Sequence, residues 1–420
     1  MNEHTPLEKY RKDIARCVKC GSCSTVCPTY RHERDESFSA RGRMALVKAV
    51  LDGRFPASAV YRDRLASCTT CLACEDACPG KVPVTRIIQA AREQAVHEAG
   101  IGVIKSVIAE VVKHPALFSA VAWLAPVALH YAKGQGASSR GQVASSKGQG
   151  DKGHSSEFRV QRSTKQRSRG KVVFFPGCAV DHFQQDIGTA TIAVLERLGY
   201  EVIVPRGMKC CGRPLLSLGD RRGAETLAAH NATVLAKTDA IAIVTACASC
   251  GLTLKHDYPG LLRPGRPFPV VLDIHECIAD KLEGMELSPV HKTVTWHDPC
   301  HLSRGQGSAN NARDILRAIP GISLVEMRDA DRCCGFGGLM RLSHRGLSDG
   351  IAAVKAANIV LTSADIVATG CPGCMMQISE ALRRKDSDVQ VLHTVQVLEQ
   401  AMRPVDCELR DAEMAGVSNK

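Results

Sequence analysis

The sequence predicts an α+β fold: a helical, cysteine-rich N-terminal region followed by two pseudo-repeated α/β lobes. Three observations predict it. Two cysteine runs of identical spacing lie within the first 98 residues. Beyond residue 171, β-rich runs alternate with helical patterns, the order of parallel α/β units. That second part also repeats itself. Cys178 to Cys210 is 32 positions and Cys300 to Cys333 is 33, while Cys211 to Cys247 is 36 and Cys334 to Cys371 is 37.

At 420 residues the chain has room for two or three domains. The reading places a cysteine-rich domain at 1–98, an apolar helical segment at 99–132 and a basic flexible linker at 133–170. The repeats occupy 171–285 and 286–405, with a tail at 406–420. Segment 133–170 is rich in Gly, Ser, Gln and basic residues and has too few large apolar side chains to fold. Its nine Lys or Arg against Asp151 and Glu157 supply +7 of the formal charge of +11. The basic balance therefore argues little for nucleic acid, and no nucleic-acid-binding motif accompanies it. Segment 101–132 is interrupted by Lys105, Glu110, Lys113, His114, Pro115 and Pro126, which suits a helix pair on a partner or at a membrane interface better than a span.

The 20 cysteines decide more. Met1 to Arg16 is polar and charged, unlike a secretory signal, so reduced thiols available to metal are expected. The first run is Cys17-x2-Cys20-x2-Cys23-x3-Cys27-Pro28, the second Cys68-x2-Cys71-x2-Cys74-x3-Cys78-Pro79. Three thiolates so spaced wrap one corner of a cubane, and the fourth, before proline, binds the other cluster. Two ferredoxin-type [4Fe–4S] clusters with crossed ligands follow. Cys17, Cys20, Cys23 and Cys78 hold one, and Cys68, Cys71, Cys74 and Cys27 hold the other. Zinc modules use two separated CxxC pairs, not four cysteines within eleven residues, twice.

In the first repeat a strand (171–176) leads to Cys178, a helix and strand precede Cys210-Cys211-Gly212, and another helix and strand lead to Cys247 and Cys250. The second follows suit with Cys300, Cys333-Cys334-Gly335, Cys371 and Cys374. Most of these cysteines fall just after strands, where ligands of open α/β sheets gather, so five thiols are expected to converge at one edge of each lobe. Each set is a candidate site for a further cluster, with redox-active CxxC pairs and buried inert thiols as alternatives. His297, Asp298 and His301 flank Cys300 and are expected to tune a centre there, to carry protons, or to serve as strand-end caps. Cys277 and Cys407 fall outside every motif and read as ordinary thiols.

The motifs CVKCGSCSTVCPTY, CTTCLACEDACPG, FFPGC, CCGRPL, CASCG, HDPCHLSRGQG, CCGFGG and ATGCPGCMMQI together resemble the iron–sulfur subunit of glycolate oxidase. They are also similar to the third subunit of anaerobic glycerol-3-phosphate dehydrogenase, to lactate-utilisation iron–sulfur proteins and to the CCG-containing subunit of heterodisulfide reductase. SARGRMALVKAVLDG and HDPCHLSRGQG look most like the glycolate/D-lactate branch. The resemblance implies an electron-transfer component of an oxidoreductase working with an FAD-containing hydroxy-acid oxidase subunit, at the cytoplasmic face of the membrane. Electrons would pass to quinone or another carrier. It also implies that the five CCG cysteines can bind a non-cubane cluster, as in heterodisulfide reductase, and this sequence keeps all five in both copies. No Walker A or complete dinucleotide fingerprint is present, so neither flavin nor nicotinamide is expected on this chain, and no catalytic residue is assigned. A catalytic chain like that of heterodisulfide reductase and an iron–sulfur subunit of glycerol-3-phosphate dehydrogenase remain the alternatives.

Overall fold

A computed structural model describes residues 6–114, 117, 169–265, 267–338 and 340–403. The basic segment up to 168, most of the apolar stretch beyond His114, the tail at 406–420 and Cys407 lie outside the described residues.

The N-terminal region is helical. Helix α1 (Ser22–Val26) lies within the first cysteine run and carries Cys23, and α2 (Pro28–Glu33) follows the run. Pro28 sits at the start of α2, where a missing N–H costs nothing, and so places Cys27 in extended backbone just before it. Helix α3 (Ala40–Leu51) begins at Ser39, whose hydroxyl accepts from the Gly42 N–H. Helices α4 (Ala59–Ala66) and α5 (Ala73–Asp76) bracket the start of the second run. Helix α6 (Val84–Ala99) buries Val84, Ile87, Ile88, Ala91 and Ala95, one face of a 3.6-residue period.

Helix α7 (Val103–Lys113) is the described part of the apolar stretch. Its Ala109 and Val112 are buried with Leu215 and Leu218 of the first lobe. This part docks on its own chain, where the sequence reading expected a partner or a membrane interface. Among the described residues no helix is long and apolar enough to cross a membrane.

Each lobe is a four-stranded parallel sheet. The first has β1 (Lys171–Phe174), β2 (Glu201–Ile203), β3 (Ala242–Thr245) and β4 (Val270–Asp273) in the order β2-β1-β3-β4. The second has β5 (Lys292–His297), β6 (Ile322–Val325), β7 (Ile366–Thr369) and β8 (Gln390–His393) in the order β6-β5-β7-β8. Strands β4 and β8 were not anticipated. They lie past the CxxC pair, where the sequence reading closed each repeat. In both orders the chain turns opposite ways after the two central strands, which opens a crevice at their carboxyl ends.

The first lobe's helices are α8 (Gly177–Phe183), α9 (Gln185–Arg197), α10 (Arg213–Leu218), α11 (Arg221–Leu235), α12 (Ala248–Leu252) and α13 (Ile274–Ile278). The second lobe's are α14 (Cys300–Gln306), α15 (Ala309–Ala318), α16 (Arg345–Val360), α17 (Pro372–Arg383) and α18 (Thr394–Ala401).

Strand alternation divides the lobe interiors. Val172 and Phe174 of β1 join Val294 and Trp296 of β5 in one apolar core that spans both lobes. Val173 and Phe175 face the other way, toward Cys210, Cys211, Cys247 and Cys250. Helix α9 packs on α18 across the seam, and Gln396 Nε2 donates to Asp186 Oδ2 at 2.6 Å.

Gly219 ends α10 at φ +88°, and a Cβ there would lie 2.5 Å from the Arg92 carbonyl oxygen. Gly219→Ala should therefore cost about 2 kcal/mol, because both the left-handed backbone and the close approach require glycine. Anaerobic denaturant unfolding would measure it, and an unchanged midpoint would refute the argument.

Candidate metal centres

All described cysteines are free thiols. The two N-terminal loops use the same backbone turn. Lys19 and Gly21 in the first, and Thr70 and Leu72 in the second, stand at matching positions with positive φ. Such alternation makes a concave nest of N–H groups that suits an anion, and the Thr70 N–H donates to Cys68 Sγ at 3.5 Å. The residues present thus fit an anionic iron–sulfur cluster.

Cys27 stands near both runs, acting on the Cys74 and Cys68 thiols of the second and on Cys23 of the first. Burial pushes the Cys74 thiol well up, and the neighbouring Cys71, Cys68 and Cys27 add to the effect. Cys27 Sγ also lies 3.2 Å from Thr29 Oγ1, which the buried Arg43 guanidinium contacts at 3.2 Å. Cys23 is raised chiefly by burial, with Cys17 and Cys27 among its neighbours. The two groups differ in exposure. Cys20 is open to solvent, whereas Cys27, Cys71 and Cys74 are buried.

The lobes bring their thiols together where the central strands end. In the first, Cys178 follows β1 and Cys247 follows β3, and Cys210 lies 3.5 Å from Cys178. Contacts with Cys210 and Cys250 hold the Cys211 thiol well below its ordinary range. Gly177 makes room: a Cβ there would stand 2.6 Å from Cys250 Sγ. In the second lobe Cys300 follows β5 and Cys371 follows β7, and Cys334 lies 3.4 Å from Cys374. Cys334 is pushed well down by Cys333 and Cys374. The neighbours are pushed the other way, Cys210 and Cys250 in the first lobe and Cys300 and Cys374 in the second, so each set shares its protons unevenly while offering soft ligands to iron. Cys277 stands apart, buried in the shared core, with burial raising its thiol.

The sites also touch one another, which the sequence did not disclose. A contact with Cys333 pushes Cys71 of the N-terminal domain well up, and burial adds to it. Contacts with Cys247 of the other lobe and with Cys374 hold Cys371 well down. His301 sits at the junction of all three regions. Its Nε2 donates to the Thr70 carbonyl at 3.3 Å and its Nδ1 accepts from Ser249 Oγ at 3.0 Å.

The other residues flanking Cys300 also have definite partners. Burial opposes charge on Asp298, yet Arg313 and Trp296 keep its carboxyl below the ordinary range. Arg313 grips it bidentately at 2.8 and 2.7 Å, and Trp296 Nε1 donates at 2.7 Å. His297 places Nδ1 3.1 Å from the Ala330 carbonyl.

Sequence reasoning missed three buried groups. His275 on α13, just past β4, and His393 at the end of β8 stack at 5.5 Å between the lobes, and His275 Nδ1 lies 2.5 Å from Asp273 Oδ1. Extending the repeat past each CxxC pair would have exposed LDIHE and LHTVQ as counterparts, with Asp273 and His393 at matching strand ends. Lys355 is buried on α16 with Nζ donating to the Asp329 and Ala330 carbonyls, and burial lowers its pKa to about 8.

Burial pushes His393 down to about 3 and His301 to about 4. Above about pH 6.5 both are neutral folded and unfolded. As pH falls, the unfolded chain binds protons that the fold refuses. Stability should therefore decline from about pH 6.5 toward pH 4, approaching ~2–3 kcal/mol per pH unit. Melting temperature against pH would check this, and stability that rises on acidification would contradict it.

Residues 13–82 match the family described as 4Fe-4S dicluster domain, and residues 172–255 and 294–379 each match the cysteine-rich domain, CCG. Fold and thiol sites define an iron–sulfur electron-transport protein. The chain is 32% identical to a fumarate reductase (CoM/CoB) subunit of Methanothermobacter marburgensis, over 93% of this chain and 73% of that protein. It is 28% identical to a dihydromethanophenazine:CoB–CoM heterodisulfide reductase subunit of Methanosarcina barkeri, over 93% and 94%. It is 26% identical to the probable glycolate oxidase iron-sulfur subunit of Bacillus subtilis, also over 93% and 94%. The chain belongs to the CCG-domain iron–sulfur oxidoreductase family.

Proposed function

We propose that the chain is the iron–sulfur electron-transfer subunit of a flavin-dependent 2-hydroxy-acid dehydrogenase acting on glycolate or D-lactate. The observation that carries the relay is the series of neighbouring thiols from Cys71 through Cys333, Cys334, Cys374 and Cys371 to Cys247. Cys17, Cys20, Cys23 and Cys78 form the solvent-facing port, close to the exposed Val18. Cys68, Cys71, Cys74 and Cys27 form the inner step, all but the half-buried Cys68 shielded from water. When bound, the clusters supply one-electron carriers at these positions. The protein's part is to hold them close together, exclude water and set their surroundings. The hydroxy acid is oxidised on an FAD partner, and electrons leave to quinone or another carrier at the cytoplasmic face of the membrane.

Anaerobic co-purification from the native host should recover a flavoprotein. The complex should reduce a dye with glycolate or D-lactate and not with glycerol 3-phosphate. Absence of any flavin partner would refute the reading.

A second reading makes the lobes themselves catalytic toward a disulfide. It is favoured by the complete five-cysteine sets and by the direct contact between them at Cys247 and Cys371. Disulfide reduction by the isolated chain with a reduced viologen would support it. Iron counting bears on both, since two ferredoxin-type clusters hold about eight irons and occupied lobes add more.

A further inference from the structure

We infer that His297 is a metal ligand in the second lobe, which makes that centre a mixed thiolate–imidazole site. The inference rests on the reading that this lobe holds iron, and not on the identity of the partner.

The two lobes differ at one position of the strand that precedes the first thiol. In the second lobe His297 ends β5 and pairs with Thr369, the last residue of β7. In the first lobe Phe174 pairs with Val244, which places Phe175 beside Thr245 at the end of β3. Phe175 and His297 are thus counterparts, each three positions before its lobe's first thiol, Cys178 or Cys300. Both are buried, and strand alternation turns both away from the shared core. Phe175 lies among the first lobe's thiols, so the site there has an inert ring where the second lobe has a nitrogen base.

The chemistry of that base is fixed by its other side. Nδ1 faces the Ala330 carbonyl, an acceptor, and must therefore carry the ring proton. Nε2 then presents a lone pair. It is buried and has no hydrogen-bond partner. A ring nitrogen of His297, Cys334 Sγ and Cys374 Sγ all lie within 4.8 Å of one another. A lone pair beside two thiols that bind iron as thiolates is unfavourable unless a cation lies between them, and imidazole is an accepted ligand of iron. The carbonyl behind Nδ1 is the usual way a ligating histidine is held in its tautomer and orientation.

The test uses the full chain, purified anaerobically with natural-abundance or 15N-labelled histidine and poised at stepped potentials. Pulsed EPR should detect a histidine-nitrogen coupling of ligand size that scales with the isotope. His297→Phe should abolish the coupling while leaving iron content unchanged, because the five thiols remain. Mössbauer spectra of 57Fe-loaded samples, which need no paramagnetic state, should show one iron subsite altered by the substitution. Should the phenylalanine variant fail to fold, His297→Cys must likewise remove the nitrogen coupling and retain the iron. Wild-type protein without a histidine coupling, and with Mössbauer spectra insensitive to either substitution, would overturn the proposal. So would iron content limited to the two N-terminal clusters. Failure to find a flavin partner would sink the functional reading and leave this result standing.

Discussion

Cys27→Ser is expected to remove the same irons as Cys74→Ser, and Cys78→Ser the same as Cys23→Ser. Each substitution should cost about four of the eight irons that two ferredoxin-type clusters hold, with one of two EPR signals lost. The reason is spatial. Cys27 is only four positions from Cys23 and acts on it, yet it also reaches Cys68 and Cys74, and the crossed assignment gives it to them. Loss of the inner group should also stop electrons from reaching the lobes, because Cys71 of that group is the one that touches Cys333. If Cys27→Ser gave the signature of Cys23→Ser, the crossed assignment would be wrong. Iron analysis and EPR of the four variants decide it.

The second large effect is expected at Arg92. Its guanidinium is buried, and its partners are carbonyl oxygens of two domains. Nε and Nη2 donate to Leu65 at 3.2 and 2.6 Å, Nη2 reaches Cys68 at 2.7 Å, and Nη1 reaches Ser217 of the first lobe at 3.2 Å. Burial lowers its pKa to about 10, with the nearby Cys68 acting in the opposite direction. Arg92→Met would strip the charge-assisted bonds and take from the Cys68 and Ser217 carbonyls the guanidinium donor, while Leu65 keeps a backbone donor from Cys68. A loss of about 3 kcal/mol is expected, together with faster loss of the cluster held by the Cys68 loop. Lysine should not rescue it, since an ammonium cannot fork across several acceptors. Anaerobic unfolding and the rate of cluster bleaching measure both effects. A change below ~0.5 kcal/mol, the range of ordinary surface substitutions, would refute the argument. Because Gly219 packs against the Arg92 carbonyl, its alanine variant and Arg92→Met should combine non-additively.

The cysteine ladders were legible in the sequence because a ligand set is written in local spacing. The intervals from Cys178 to Cys250 and from Cys300 to Cys374 reported two parallel α/β lobes for the same reason: strand, helix and thiol recur within one stretch of chain. Strands β4 and β8 escaped because they carry no cysteine and follow the last thiol of each set, beyond the spacing that marked out the repeat. Contacts between distant segments left no mark at all. Cys71 and Cys333 lie 262 positions apart, and nothing local in either motif announces the other. The same holds for the His275–His393 stack, whose members are 118 positions apart. Arg92 reads as one more charge on an amphipathic helix until the carbonyls around it are in place.

The apolar core that joins β1 to β5 has a consequence for inheritance. A duplication normally yields two units that recombination can shuffle, lose or lend to other genes. Here each copy lends half of a common interior to its twin, so a gene encoding one lobe alone would leave Phe174 or Trp296 facing water. The copies are bound to travel as a pair. Within that pair they remain free to diverge at the thiol edges, where His297 stands in the place that Phe175 takes in the other lobe.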